Sequence, residues 1–403
     1  MDKRKTLKDI YNIIVLLFIF ISANAWFAYM LPLNFTGLGI SALMAIILIN
    51  LPGGLRVTKQ MSILLAILIV YMVWTVINVD PIYGMIQFFT FLPGILLCSP
   101  DREDKSKTLA FITKWYGIVI TISMVIFLAV KATHLPGVGI FRVPNNNFYA
   151  PYYNYLFYIK MVSHTYIERF NGPFLEPGHL ALVSFLILFA NRFDFKKSPW
   201  MYPILLSVCL SFSLVGYLLL IIGLILLKVK NVWSVVLGVG LIWGAYVFCT
   251  EIWDGGDNKV NTMILSRLEL DESKGIKGNN RTPQTTDGYY ERLKRKDALW
   301  VGMGTLKKND SIAGSGYKIY FIRFGIISAL IVFLYYTMLF DRKANKRYAY
   351  SFLLVIVLIF WQRAYPWWFS WQAMIILGTA VSALDEMRKK ENKELPQLDT
   401  TLQ

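Results

Sequence analysis

The sequence predicts an all-α protein that crosses a membrane many times. The chain has 403 residues, is 56% hydrophobic and has a mean hydropathy of +0.49, which is too apolar for a soluble domain. Apolar runs long enough to span a bilayer as helices recur along it. No strand-like alternation of apolar and polar residues appears, so we expect helices to satisfy the backbone within the membrane. We treat residues 1–403 as a single integral membrane domain.

The distribution of charge predicts the topology. The chain has 41 Lys and Arg against 25 Asp and Glu, a net charge of +16. In a membrane protein such an excess marks cytoplasmic helix ends, so we expect a bilayer and no nucleic acid as partner. Placing each short basic loop in the cytoplasm gives about twelve spans with both termini inside. They are predicted at about 11–30, 35–51, 61–78, 82–98, 109–131, 177–191, 199–212, 214–228, 231–249, 317–340, 349–362 and 367–383.

One apolar stretch, 199–228, is long for one helix and short for two. Basic residues lie at both ends of this stretch. Because positively charged loops stay in the cytoplasm, the stretch must cross the membrane an even number of times. We therefore predict two short spans with a polar bend at Ser211, Ser213 and Gly216. The alternative is one long tilted helix.

Three polar segments lie outside the spans. Loops at 132–173 and 250–316 are predicted to be extracytoplasmic, and the Lys/Glu-rich tail at 384–403 is predicted to be disordered in the cytoplasm. The first loop carries a tyrosine series that includes Tyr152. These rings form either an aromatic belt at the lipid headgroups or a re-entrant or interfacial helix that offers flat faces and hydroxyls to sugar rings.

Neither the cysteines nor the histidines indicate a metal or redox centre. Cys98, Cys209 and Cys249 lie far apart in or beside apolar runs, where they are typical packing residues. The three histidines are scattered along the chain. We therefore expect no metal site and no cofactor.

The segment 164–182 carries the strongest chemical signal. Arg169, Glu176 and His179 stand where a polar loop turns into an apolar helix, and Pro177 suits the first turn of that helix. A negative charge is favoured near a helix N-terminus. Ionisable side chains at a membrane boundary are costly unless they have a function. They form either a capped helix with a snorkelling arginine or part of an active site.

Arginines accumulate on the predicted outer side. A guanidinium binds phosphate through two hydrogen bonds and stays charged at any relevant pH, so this face suits a diphosphate ligand handled without a divalent cation. For any single arginine, snorkelling or a salt bridge is the alternative. The outer arginines are Arg142, Arg169, Arg267, Arg281, Arg292, Arg323 and Arg363.

The run Arg169-Phe-Asn-Gly-Pro-Phe-Leu-Glu-Pro-Gly-His-Leu-Ala resembles the arginine–glycine–phenylalanine–glutamate–proline signature of Wzy-type polysaccharide repeat-unit polymerases, in the O-antigen polymerase and ligase superfamily. Three further segments are similar to that family's pattern and follow it in order. They are Ser211-Phe-Ser213-Leu-Val-Gly216-Tyr217, then Asn279-Asn280-Arg281 with Gly302-Met303-Gly304, then Gly314-Ser-Gly316-Tyr317 leading to Ile322-Arg323-Phe324-Gly325.

The resemblance implies a GT-C-like membrane fold in the bacterial cytoplasmic membrane. It implies an enzyme that transfers a growing glycan from one undecaprenyl diphosphate carrier to the end sugar of a second carrier-linked repeat unit. The polymer would be O-antigen, capsule or exopolysaccharide. The implied partners are the two lipid-linked glycans and a chain-length regulator.

The resemblance also implies roles for single residues. Arg169 and Arg281 would neutralise the leaving diphosphate, although Arg267 or Arg292 could be the loop arginine instead. Glu176 is the preferred general base, and His179, three residues on, is the other candidate. A Glu176 that only caps its helix or pairs with Arg169 is the structural alternative. The remaining substrate-binding candidates are Arg142, Arg292, Arg323, Arg363, Tyr152 and Tyr317.

Three other functions compete with the polymerase. One of them, a structural or scaffolding membrane protein, would not need arginines clustered on the outer side. An O-antigen ligase shares the superfamily and differs in its acceptor, but the Glu176-Pro177 pair favours the polymerase. A flippase for lipid-linked oligosaccharides would carry charges along its spans and have short loops. Here the spans are nearly free of charge, and the polar residues concentrate in two outer loops.

Overall fold

In a computed structural model the chain is mostly helical. The structure describes residues 3–51, 54–144, 150–162, 169–228, 244, 247–258, 261, 265, 270–271, 275–276, 284–304, 314 and 316–398. The described helices are α1 (Lys3–Ser22), α2 (Leu33–Asn50), α3 (Lys59–Asn78), α4 (Pro81–Leu97), α5 (Arg102–Thr133), α6 (Pro177–Ala190), α7 (Met201–Leu210), α8 (Leu214–Lys228), α9 (Gln284–Arg295), α10 (Tyr317–Met338), α11 (Lys346–Gln362) and α12 (Phe369–Leu398).

Polar residues fix where several helices begin. The side chains of Thr58, Asp80, Asp101 and Asn345 each accept a hydrogen bond from a backbone N–H in the first turn of α3, α4, α5 and α11. Such caps satisfy N–H groups that a helix start leaves without a carbonyl partner. The sequence positions of these polar residues therefore set the boundaries between helices.

Among the described residues, three helices are long and apolar enough to cross a membrane, namely α3, α5 and α10. Shorter apolar helices include α4, α6, α7 and α8. This composition fits a membrane-embedded protein. The predicted ninth span, 231–249, lies almost wholly outside the described residues.

Helix α6 forms the centre of the bundle. Every residue from Gly178 to Ala190 is buried, and so is the first half of α12, which packs against it. Helix α6 also contacts α7 and α8. Helix α6, which begins directly after Glu176, is therefore surrounded by protein.

The loops predicted to be cytoplasmic share one end of the bundle. Lys8 in α1 pairs with Asp104 in α5 at 2.5 Å, and Arg102 pairs with Asp341 after α10 at 2.6 Å. Arg192 after α6 pairs with Asp385 in α12. We call this the basic end. The segment before α6, the bend between α7 and α8 and the turn between α11 and α12 lie at the opposite end.

The two predicted short spans in 199–228 correspond to two helices. Helix α7 ends at Leu210 and α8 begins at Leu214, with Phe212 between them at a φ of 45°. The positive φ turns the chain sharply, which a continuous helix does not allow. The prediction of a bend at Ser211 and Ser213 is confirmed, and the single tilted helix is wrong. Gly216, which was placed at the bend, lies within α8 instead.

The tyrosine-rich loop is a small sheet in its described part, not a helix, and this corrects the all-α class. Strands β1 (Gly139–Phe141), β2 (Tyr152–Asn154) and β3 (Ile159–Met161) are antiparallel, with Tyr152 opposite both Phe141 and Met161. Aromatic and β-branched residues favour strands where one face is buried. The buried face packs Phe141, Tyr152 and Ile159 against Trp26 and Leu175. A second pair, β4 (Leu270–Asp271) and β5 (Gly275–Ile276), lies in the larger loop.

Two other boundaries differ from the predictions. Helix α1 ends at Ser22, and the 3-10 turn Trp26–Met30 follows, so the first helix does not reach residue 30. Helix α12 continues to Leu398, into the segment 384–403 that was expected to be disordered. Its first polar turns are held by contacts such as Asp385 with Arg192. Residues 399–403 lie outside the described part.

Helix α10 is broken at Gly325, which has a φ of 79° and a ψ of 167°. The break deprives nearby carbonyls of their helical partners. The backbone N–H groups of Met303 and Gly304 donate to the carbonyls of Ile322 (2.6 Å) and Arg323 (3.1 Å). The indole of Trp74 donates to the carbonyl of Phe324 at 3.2 Å. The segment 298–304 is thus built into the break.

Candidate active site

The loop before α6 is held to its neighbours by backbone hydrogen bonds. The N–H of Leu175 donates to the carbonyl of Asn24 at 3.2 Å, and the N–H of Trp26 donates to Pro173 at 2.9 Å. On the other side, the N–H of Phe170 donates to the carbonyl of Leu210 at 3.1 Å. Because both flanks of the loop are fixed, the backbone of Glu176 has a defined position at the start of α6.

Glu176 forms an ion pair with Arg363, which follows the last residue of α11. The arginine side chain is 5% exposed and the glutamate side chain 28%, so the glutamate is the partner that is accessible from the surface. The guanidinium lies against Gly178, where a Cβ would come within 2.9 Å of Nη2. Glycine at this position therefore leaves the space that the arginine occupies.

His179 is the third member of this group. Its Nε2 lies 3.8 Å from Oε1 of Glu176, one helical turn away, and its side chain is 1% exposed. The ring meets Trp368 edge to face, with centroids 4.9 Å apart. Glu176, His179 and Arg363 thus form one cluster at the start of α6, which we call the carboxylate cluster.

Tyr152 borders the carboxylate cluster from the sheet. Its hydroxyl donates to the carbonyl of Leu175 at 3.0 Å, next to Glu176. Burial raises the pKa of Tyr152 above its usual value of 10.0, and the nearby Glu176 and Tyr29 raise it further. The hydroxyl therefore stays protonated and acts as a hydrogen-bond donor.

Arg169 lies at a different place from the carboxylate cluster. Its Nε donates to the carbonyl of Ser211 at 2.9 Å, and its Nη2 donates to the carbonyl of Phe212 at 2.7 Å. These carbonyls belong to the bend between α7 and α8. The geometry gives Arg169 a clear structural contact, while its predicted role at the diphosphate stays a prediction. Glu176 is not a side-chain cap of α6, and its ion-pair partner is Arg363.

The other predicted binding residues are spread over the same end of the molecule. Arg142, which directly follows β1, is exposed, and Arg292 on α9 is exposed with its guanidinium 4.5 Å above the ring of Tyr289. Arg323 lies 4.1 Å above the ring of Tyr83. Tyr317 stacks on Trp361 with centroids 4.0 Å apart.

Arg281, the predicted catalytic arginine of the large loop, and Arg267, its alternative, lie outside the described residues. The choice among Arg267, Arg281 and Arg292 therefore stays open. Tyr149, a member of the tyrosine series, also lies outside the described residues.

The sequence reasoning missed two aromatic neighbours. Trp368 contacts His179, and Tyr29 is close enough to affect the pKa of Tyr152. A signal for Trp368 was present in the sequence, since an aromatic group follows Arg363 within five residues: Tyr365, Trp367 and Trp368. Tyr29 gave no such signal, because it falls within a run that was predicted as membrane span.

In the described part of the chain, no three His, Cys, Asp or Glu side chains lie close enough together to hold a metal ion. The carboxylate cluster instead combines a partly exposed anion, a buried cation and an imidazole. Such a group can accept a proton from a bound hydroxyl, or hold a polar ligand beside the partly exposed glutamate.

Comparison of the chain with protein-family models, with curated proteins and with solved structures finds no match.

Proposed function

We propose that the protein is a glycosyltransferase that polymerises oligosaccharide repeat units linked to undecaprenyl diphosphate, on the outer face of a bacterial cytoplasmic membrane. One observation carries the proposal. The glutamate of the segment that resembles the polymerase signature is a partly exposed carboxylate, oriented by a buried arginine and adjacent to a histidine. Twelve spans, a GT-C-like fold and cytoplasmic termini belong to the same proposal.

In the proposed reaction the acceptor sugar hydroxyl attacks the anomeric carbon of the donor glycan. A new glycosidic C–O bond forms as the bond from that carbon to the diphosphate oxygen breaks, and undecaprenyl diphosphate leaves with both bonding electrons. Glu176 would take the hydroxyl proton, since its exposed carboxylate can reach a ligand while Arg363 fixes its orientation. His179 is the second candidate base, although its burial makes direct contact with substrate less favourable.

The leaving diphosphate needs positive charge as the bond breaks. In the proposal, Arg169 and Arg281 supply it with support from Arg292 and Arg323, in place of a divalent cation. Arg363 is committed to the carboxylate in this structure and would act through Glu176. The ring of Tyr317 lies at the same end of the bundle and would border the glycans. Tyr152 is buried and would act only through its hydrogen bond to the carbonyl of Leu175, beside Glu176.

The proposal is tested by the size of the surface glycan in a deletion strain, displayed as a gel ladder. We expect cores that carry a single repeat unit, with long chains restored by the wild-type gene. Genes for Glu176→Gln and Arg281→Ala should fail to restore them, although both proteins reach the membrane. Glu103→Gln is the matched control, because Glu103 is exposed at the basic end.

Other outcomes separate the alternatives. Normal chain length with Glu176→Gln and Arg281→Ala would overturn the assigned residues. Bare core together with long carrier-linked chains indicates a ligase. Single carrier-linked units trapped on the cytoplasmic side indicate a flippase, and then no catalytic role remains.

A further inference from the structure

The hairpin that joins β2 to β3 has an unusual tip. Residues 155–158, which we call the hairpin tip, connect the two antiparallel strands and read Tyr-Leu-Phe-Tyr. Tight turns are usually built from Gly, Pro, Asn, Asp or Ser, which adopt turn conformations readily or hydrogen-bond their own backbone. Leu156 has a φ of 69°, a conformation that a leucine rarely adopts. The hairpin tip therefore keeps large apolar side chains where the backbone favours smaller or more polar ones.

Two of these side chains point away from the protein. Leu156 is 55% exposed and Phe157 is 40% exposed. The next residue, Tyr158, is buried and meets Phe127 of α5 edge to face, with centroids 5.5 Å apart. Adjacent exposed apolar side chains at a loop tip indicate a contact with something other than water. The position of the hairpin tip along α5 shows what that contact is.

The hairpin tip lies against the middle of α5. The hydroxyl of Ser123 donates to the carbonyl of Phe157 at 2.6 Å. Ser123 is near the midpoint of 115–130, a run without a charged residue that rises about 24 Å as a helix. Lys131, the next charged residue, is about 12 Å further along the helix axis. Because α5 is long and apolar enough to cross a membrane, the hairpin tip lies at the depth of the hydrocarbon.

The surface of α5 at this depth is itself apolar. Val125 and Leu128, within two turns of Ser123, are 62% and 57% exposed. Exposed basic side chains appear only where the uncharged run ends, at Lys131 and His134. Apolar residues that give way to basic ones mark the change from acyl chains to lipid headgroups. The exposed side chains of the hairpin tip are on the acyl-chain side of that change.

The backbone of the hairpin tip is equipped for an apolar medium. A segment outside a helix needs protein partners for its polar groups at this depth, because lipid offers none. Two N–H groups of the tip donate to its own carbonyls at 2.8 and 2.9 Å. The N–H of Leu156 donates to Oδ1 of Asn154 at 2.8 Å, and its carbonyl accepts from the indole of Trp26 at 2.7 Å. With Ser123 on the carbonyl of Phe157, both exposed residues have their carbonyls paired.

We propose that the hairpin tip is inserted into the membrane leaflet opposite the basic end, with Leu156 and Phe157 among the phospholipid acyl chains. Three observations support this: the depth of Ser123 on α5, the paired backbone, and the apolar side chains that occupy a turn. The partner is the hydrocarbon of the bilayer, and the contact needs no particular headgroup.

The insertion links the bilayer to the start of α6. The N–H of Ile159, directly after the hairpin tip, donates to the carbonyl of Gly172 at 3.1 Å. Tyr152, on the strand before the tip, donates to the carbonyl of Leu175. An inserted tip therefore fixes the depth of the loop that leads to Glu176. The proposal does not depend on glycosyl transfer, because it requires only a membrane.

Photocrosslinking of the full chain tests the insertion, in vesicles of phosphatidylethanolamine and phosphatidylglycerol. Phe157 is replaced by p-benzoylphenylalanine, and Leu156 is the second position. Under light the benzophenone inserts into a nearby C–H bond: a C–C bond forms and the hydrogen moves to the ketone oxygen. Leu128, exposed on α5, is the lipid-facing control, and Arg295, exposed on the polar helix α9, is the control outside the membrane. Mass spectrometry of the intact chain identifies the product.

We expect the chains labelled at Phe157 and Leu156 to gain the mass of one phospholipid, as the chain labelled at Leu128 does. Fragmentation should place the link on an acyl chain, and the chain labelled at Arg295 should gain no lipid. A doubled chain mass at the hairpin tip would show that a second copy covers it, which overturns the proposal. The same conclusion follows if neither tip position takes up lipid in chains that melt at the wild-type temperature while Leu128 does.

Discussion

The carboxylate of Glu176 and the guanidinium of Arg363 form an ion pair between residues that are 187 positions apart in the sequence. The pair joins the start of the central helix α6 to the turn between α11 and α12. Because Gly178 leaves room for the guanidinium, the contact depends on a glycine at this position as well as on the charges. The segment that resembles a polymerase signature and the last turn of the bundle are therefore one structural unit.

Replacing Glu176 by Gln should lower the melting temperature in detergent, because it leaves the charge of the buried Arg363 without its counter-charge. Loss of one partner of a fully buried pair costs about 3–5 kcal/mol. Since Glu176 is 28% exposed and water can compensate, we expect about 1–3 kcal/mol. The double variant Glu176→Gln, Arg363→Gln should recover part of this loss. Strictly additive effects of the two single changes would show that the pair contributes nothing.

Arg169→Ala should destabilise the bend between α7 and α8, because the carbonyls of Ser211 and Phe212 lose their donor. A hydrogen bond from a charged donor contributes about 1.5–3 kcal/mol. Arg169→Lys should be intermediate, since an ammonium cannot reach both carbonyls with the geometry of a guanidinium. Thermal unfolding measures the effect, with the exposed Arg142→Ala as control. A melting temperature equal to that of the control would leave Arg169 with a purely functional role.

Gly325→Ala should disrupt the break in α10. The glycine has a positive φ, and a Cβ there would lie 2.4 Å from the carbonyl oxygen of Trp300. Ala at an incompatible φ destabilises by more than about 1 kcal/mol, and here the clash with backbone adds to that cost. Gly288→Ala in α9 is the control, because its Cβ would meet nothing within 4 Å. We expect faster proteolysis of the 298–304 segment in the first variant only.

The Arg192–Asp385 pair should make the free energy of unfolding depend on pH in the acidic range. Partial burial opposes ionisation of Asp385, but the hydrogen bond and charge of Arg192, with Lys197 and Arg388 nearby, outweigh it and lower the pKa from 3.8. A lowered folded-state pKa contributes stability that is present above pH 3.8 and is lost as the pH falls below it. The difference in melting temperature between wild type and Asp385→Asn should therefore be constant from pH 7 to 5 and shrink toward pH 3. A difference that grows on acidification would contradict this.

Local signals in the sequence determined most of the helices. Their apolar runs, polar caps and alternating basic loops predicted which ends lie together, and the polar bend at 211–213 predicted the separation of α7 from α8. Pro177 also predicted the start of α6, because a proline at the first helical position lacks only an N–H that has no helical partner there. Each of these signals acts within a few residues of where it is read.

The tertiary structure alone decided which charges meet. Several outer arginines were equivalent candidates in the sequence, and only packing showed that Arg363 lies beside Glu176 while Arg169 holds a bend. The sheet around Tyr152 and the break at Gly325 were hidden for the same reason, since each is stabilised by segments distant in the chain. Sequence patterns report local conformational preference, whereas the partner of a buried charge depends on which distant groups remain to compensate it.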